Sequence, residues 1–123
     1  MTGVLVLVPA CGVAPDTEQS SPAREANAIE EAVRSYTSAF LRGDGRRAHE
    51  LLSERCQEAV SPDVLQGQAA EAAARYGQAR LDSVMPRIAG DRAAVTYRFD
   101  RPALDREEEP WVKEDGDWRN DHC

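Results

Sequence analysis

At residues 76–100 the chain reads YGQARLDSVMPRIAGDRAAVTYRFD, and within that stretch the hydrophobic period changes. Ala93, Val95, Tyr97 and Phe99 alternate with Ala94, Thr96, Arg98 and Asp100, the two-residue period of a half-buried strand. Leu81, Ser83 and Met85 alternate with Asp82 and Val84, and Gly90-Asp91 marks the turn between the two runs. Upstream the period is helical. Ile29, Val33, Tyr36 and Phe40 recur at i, i+4, i+7 and i+11, one stripe of an amphipathic helix over about Asn27 to Leu41. Gly43 suits the left-handed position after it, and Asp44 can cap a second helix, Gly45 to Ser53. Ser61-Pro62-Asp63 opens a third, which runs to about Tyr76 with an inner face rich in alanine.

Downstream, Asp100 to Glu109 reads as a charged, solvated loop. Trp111 to Glu114 reads as a third strand, Asp115-Gly116 as a two-residue hairpin turn, and Trp118 to Cys123 as the returning fourth strand. Three helices followed by four antiparallel strands make an α+β fold. Its N-terminal helices are expected on one face of a strongly curved antiparallel sheet.

The chain has 123 residues, 41% hydrophobic and 30% charged, values of one ordinary globular domain. Its formal net charge is -7. That sign argues against a nucleic-acid partner, which needs a basic face for phosphates, and against electrostatic docking on anionic lipid. No apolar run approaches the length of a membrane-spanning helix.

Val8-Pro9-Ala10-Cys11 closes a short apolar run and resembles the lipobox of bacterial lipoproteins, in which the cysteine thiol carries diacylglycerol. The expected organisation is a signal segment over 1–11, a flexible tether over 12–25 and a folded domain over 26–123. The tether is rich in Pro, Ser, Gly and acidic residues. No Lys or Arg precedes the apolar run, although a secretory signal has a basic start, so the true start is expected upstream. Localisation is expected on the outer face of the bacterial cytoplasmic membrane, with Cys11 as the lipidation site. Two cysteines remain, Cys56 and Cys123. In an oxidising compartment such a pair is expected to form a disulfide. The alternative, a metal pair with His49 or His122, falls short of about four ligands at defined spacing.

The helix AIEEAVRSYTSAFLRGD, the short RRAHELLSERC and the late EDGDWRNDHC resemble the nuclear transport factor 2-like superfamily, more narrowly its small secreted lipoproteins. The resemblance covers about Ala26 to Cys123. It implies a cone, a curved sheet wrapped around a long helix with a pocket at the open end. In such relatives a cysteine after the second helix commonly pairs with one near the C-terminus, which matches Cys56 and Cys123. Enzymes of the superfamily, ketosteroid isomerase and polyketide cyclases among them, place a carboxylate base and a tyrosine or acid donor in the pocket. Tyr36 falls where such a tyrosine could lie, but no inward acid can be named. Asp82 is out of phase with Leu81 and Met85, and Asp100 shares a face with Arg98. His49 and His122 read as surface residues.

The expected function is therefore a non-catalytic envelope protein. It would bind a small apolar ligand or a partner protein through its pocket or sheet face, with no cofactor, no metal and no catalytic residue assigned. Homodimerisation through the sheet is plausible. Candidate pocket residues are Tyr36, Phe40, Tyr76, Tyr97, Phe99, Trp111 and Trp118. The alternatives are an isomerase- or cyclase-like enzyme using Tyr36, and a passive structural or adaptor domain.

Overall fold

The computed structural model describes residues 21–123. The signal segment, Cys11 and the tether up to residue 20 lie outside the described residues. The first helix, α1, spans Pro22–Leu41, so the last four residues of the expected tether are helical. The reason is local: Ser21 Oγ accepts the Arg24 N–H at 3.1 Å and Pro22 supplies a first helical residue with its φ already set.

The aromatic stripe of α1 faces inward as its spacing predicts. Ile29 and Val33 are fully buried, with Tyr36 and Phe40 packed half-buried beside them. Gly43 follows at φ +84. Asp44 then caps α2, Gly45–Glu50, by accepting from Arg47 N–H at 3.1 Å.

The expected second helix is in fact two. α2 stops at Glu50 because Leu51 and Ser53 take a long-range partner. Asn120 N–H donates to Leu51 C=O at 3.1 Å, and Ser53 N–H donates to Asn120 C=O at 2.8 Å. Ser53 then caps a new helix, α3, Glu54–Ala59. α4, Pro62–Tyr76, starts on the Ser61 cap with Pro62 in its first turn. Its alanine face meets α1 and α2 more than the sheet. Gly45 of α2 sits so close to α4 that a Cβ there would overlap Gln66 Cα and Leu65 O.

Four antiparallel strands follow in the order β1-β2-β3-β4: β1 Leu81–Ala89, β2 Arg92–Phe99, β3 Arg106–Glu114 and β4 Asp117–Asn120. The β3–β4 hairpin turns on Asp115 at φ 53 and Gly116 at φ 85, both in the left-handed region that a two-residue hairpin turn requires. The inner face carries Ala93, Val95, Tyr97, Phe99, Trp111 and Trp118 against α1.

Two bulges change which residues face inward. Leu81 pairs with Phe99 and Ser83 with Arg98, so Asp82 is extra and the parity flips after it. Val84 and Ile88 therefore pack on the core, whereas Met85, expected inside with Leu81, is 51% exposed. In β3, Val95 pairs with Glu109 but Tyr97 pairs with Arg106. Glu108 takes φ 47 there, and its N–H donates to Thr96 Oγ1 at 3.1 Å. The charged loop is thus shorter than expected. After a turn at Pro102–Leu104, residues 106–109 are already strand. At the other end β4 stops at Asn120 rather than Cys123.

Candidate ligand cavity

Between α1, α4, the residues flanking α3 and the inner sheet face lies a cavity of about 380 Å³. Its walls are aromatic and aliphatic. Tyr36 and Phe40 come from α1, Leu65 from α4, and Tyr97 and Phe99 from β2. Leu52 and Val60 flank α3 on the same wall. Tyr36 and Phe40 stack at 6.1 Å, one turn apart on α1. Tyr97 and Phe99 meet edge to face at 5.9 Å, two residues apart on one strand face.

The polar end is built around Glu109, only 5% exposed. Its Oε1 accepts from Tyr97 Oη–H at 2.5 Å, Trp111 Nε1–H at 3.1 Å and Asn120 Nδ2–H at 3.1 Å. Arg106 Nε stands 3.6 Å from Oε2. Every partner is a donor, the geometry of an acceptor-only carboxylate. Strand geometry assembles this group. Glu109 and Trp111 share a face two residues apart, and Tyr97 and Asn120 face them from β2 and β4. The β3 bulge brings Arg106, three residues earlier, round to the same side.

Glu109 is the inward acid that sequence reasoning missed, having assigned 105–109 to a solvated loop. The signal was present, since Glu109 lies one strand period before Trp111. The surrounding run Arg106-Glu107-Glu108-Glu109 conceals it by offering no apolar alternation. Asp82 and Asp100 do face outward, and both pair with Arg80.

Burial and the nearby Glu109 charge push the Tyr36 hydroxyl up to about 12. The same two causes, with the hydrogen bond to Glu109, raise Tyr97 further. Both phenols therefore stay protonated donors at neutral pH. Tyr97 spends its proton on Glu109. No hydrogen bond of the Tyr36 hydroxyl is found among the described residues, and the side chain lines the cavity. Its ring rests edge-on against Trp111 at 6.1 Å.

The other candidate residues fall elsewhere. Trp111 is buried behind the cavity as a Glu109 donor, and Tyr76 packs half-buried on the core. Trp118 is buried in the core but does not line the cavity. Its Nε1–H donates to Glu25 at 3.2 Å, and Lys113, itself bonded to Glu25, lies over the ring at 5.9 Å. His49 is structural. Its Nε2 lies 2.7 Å from Val60 O, and a carbonyl only accepts, so that nitrogen carries the hydrogen. His122 and Cys123 stand at the cavity rim. Cys56 and Cys123 are bonded, with Cα atoms 5.6 Å apart. Among the described residues no group of three or more His, Cys, Asp or Glu is placed to hold a metal ion, and no helix is long and apolar enough to cross a membrane.

No protein-family model matches the chain, and no curated protein matches it. Among solved structures it is similar to Rv3472, a protein of unknown function from Mycobacterium tuberculosis. The TM-score is 0.51 and the identity 16%, over 89% of this chain and 73% of that one. At that identity the likeness is one of fold alone.

Proposed function

We propose that this chain is an exported, lipid-anchored envelope protein that holds a small apolar ligand between its helices and its sheet. The observation behind the ligand reading is the cavity. Its volume of about 380 Å³ lies within the range of small-molecule sites, and its walls are mainly apolar. Glu109 and Arg106 bring opposite charges, so an uncharged ligand leaves no buried charge unpaired. The Tyr36 hydroxyl offers one donor to a ligand acceptor atom. A partner-protein surface has less support. Among the described residues the exposed large apolar side chains are Val64 and Met85, one on α4 and one on β1, too few for a docking patch. Membership of the nuclear transport factor 2-like superfamily belongs to the same reading, supported by the order of elements and by a cavity between long helix and sheet.

Titration with the neutral fluorophore N-phenyl-1-naphthylamine tests the ligand reading. Saturable one-to-one binding is expected, weakened at least tenfold by Leu104→Trp, which fills the cavity from its 3₁₀ turn. Unsaturable binding, or an unchanged affinity in the variant, refutes it. The anchor rests on Val8-Pro9-Ala10-Cys11. Metabolic labelling with an alkynyl fatty acid in a bacterial host should mark the wild type and not Cys11→Ala. An unlabelled wild type, or a labelled variant, refutes the anchor.

One observation favours a second, enzymatic reading: Tyr36 and Glu109 line a single cavity. A carboxylate oxygen could take a proton beside a carbonyl while Tyr36 donates to the carbonyl oxygen. Three donors already hold Oε1, and Arg106 stands beside Oε2, so little of the carboxylate is left to face a substrate. Deuterium exchange at the α-carbon of a cyclic ketone, abolished by both Tyr36→Phe and Glu109→Gln, would establish the enzyme. No exchange above buffer would exclude this reaction.

A further inference from the structure

The Cys56–Cys123 bridge joins the two sides of one cavity wall. On the helical side, Leu52 and Val60 line the cavity from either end of α3, which contains Cys56. On the sheet side, His122 and Cys123 line it after β4 has ended. Little besides the bridge holds the second side. His122 N–H donates to Asn120 Oδ1 at 2.8 Å, and among the described residues no hydrogen bond holds Cys123. α3 has six residues, too few to persist without tertiary contacts. It also keeps the Gln57 amide on the carbonyls of His49, Glu50 and Leu52, and His49 on Val60. These contacts hold α3 near α2 but do nothing for residues 122–123.

Both segments are bounded by an anchor independent of the sulfurs. Ser53 is fully buried, its N–H is bonded to Asn120, and its Oγ donates to Asp121 Oδ1 at 2.6 Å. Asp121 also bonds to Pro110 through its backbone and pairs with Arg55. Breaking the bridge therefore frees residues 122–123 from α3, while α3 keeps its side-chain contacts and the sheet and α1 stay in place.

We propose that the bridge is a redox-sensitive latch on the cavity, and that its reduction by a dithiol loosens this wall and speeds ligand exchange. The ligand part rests on the ligand reading above. The sulfurs differ in access, since Cys123 is exposed and Cys56 fully buried. A dithiol thiolate attacks Cys123 Sγ, the S–S bond breaks, and the electron pair leaves on Cys56 Sγ, which takes a proton from solvent. Cys56 Sγ lies 3.9 Å from Asp121 Oδ1, which can accept the new S–H. The second thiol of the reagent then attacks the mixed disulfide. Cys123 is released as a thiol and the reagent departs as a cyclic disulfide, having passed on two electrons and two protons.

The test uses the full chain in three forms: oxidised, reduced with dithiothreitol, and Cys123→Ser. Stopped-flow displacement gives the off-rate of N-phenyl-1-naphthylamine, and amide exchange by mass spectrometry reads the wall directly. An off-rate at least tenfold faster is expected in the reduced and variant forms. Exchange should rise first in the peptide spanning 117–123, and only later, through the loss of global stability, across 54–60 and 93–99. An off-rate within twofold of the oxidised form overturns the latch. So does exchange that rises equally across 93–99, which would mean general destabilisation. If the oxidised protein binds no probe, the ligand reading fails separately. Amide exchange then still decides the latch, upheld by a selective rise and overturned by its absence.

Discussion

Replacing Glu109 by leucine removes one acceptor from three buried donors. Tyr97 Oη, Trp111 Nε1 and Asn120 Nδ2 all converge on Glu109 Oε1. An orphaned buried donor costs about 1–3 kcal/mol, so three nominally cost about 3–9 kcal/mol. The cavity beside Tyr97 can admit water, and the leucine recovers some apolar burial. The expected loss is therefore about 3–5 kcal/mol, close to that for breaking a buried polar pair. Such a loss could consume most of the stability of a small domain, so Glu109→Gln is the companion variant. It keeps an oxygen for the three donors but places an amide beside Arg106, at an expected cost of about 1–2 kcal/mol. Urea unfolding followed by tryptophan fluorescence measures both, because Trp111 and Trp118 lie in the core. Equal m-values would show that the loss lies in stability rather than in the denatured state. A leucine variant within about 1 kcal/mol of wild type would refute the network as a structural element. Equal losses in the two variants would show that charge, not acceptor geometry, is what the site requires.

Raising the pH tests the phenols. Tyr36 titrates at about 12 when folded and near 10 when unfolded, so above pH 10 the unfolded chain loses its proton first. Stability should then fall by about 2 kcal/mol between pH 10 and 12, with Tyr97 acting in the same direction. Phenolate absorbance near 295 nm should rise in step with unfolding, and a full rise on a folded protein at pH 11 would contradict the burial argument. Removing the disulfide, which spans 67 residues, should lower the unfolding free energy by about 4 kcal/mol in the chain-entropy description. Urea midpoints with and without reductant measure this, and no shift would count against it. Gly45→Ala should cost about 3 kcal/mol or more through overlap between α2 and α4, read from the thermal midpoint. A neutral result would show that the helices can separate at little cost.

The helical stripe of α1, the caps at Asp44 and Ser61 and the Asp115-Gly116 turn were legible because each depends on a few neighbouring residues. The break that makes α3 a separate helix was not. The start of α3 at Ser53 depends on Asn120, 67 positions away, which takes the backbone hydrogen bonds that would otherwise have continued α2. The inward direction of β1 was misread for a similar reason. One extra residue at Asp82 flips every side chain after it, and only pairing with β2 exposes the bulge.

The candidate site divides along the same line. Local spacing determined by itself that Tyr36, Phe40, Tyr97 and Phe99 face inward, since the helical and strand periods are properties of the backbone. Tertiary structure decided what the spacing of Glu109 from Trp111 only suggested, that Glu109 is the buried acid. A carboxylate can be buried only where donors converge on it, and these donors come from three strands. Only the assembled sheet brings Tyr97, Trp111 and Asn120 to one oxygen, and only the bulge turns Arg106 to stand beside it.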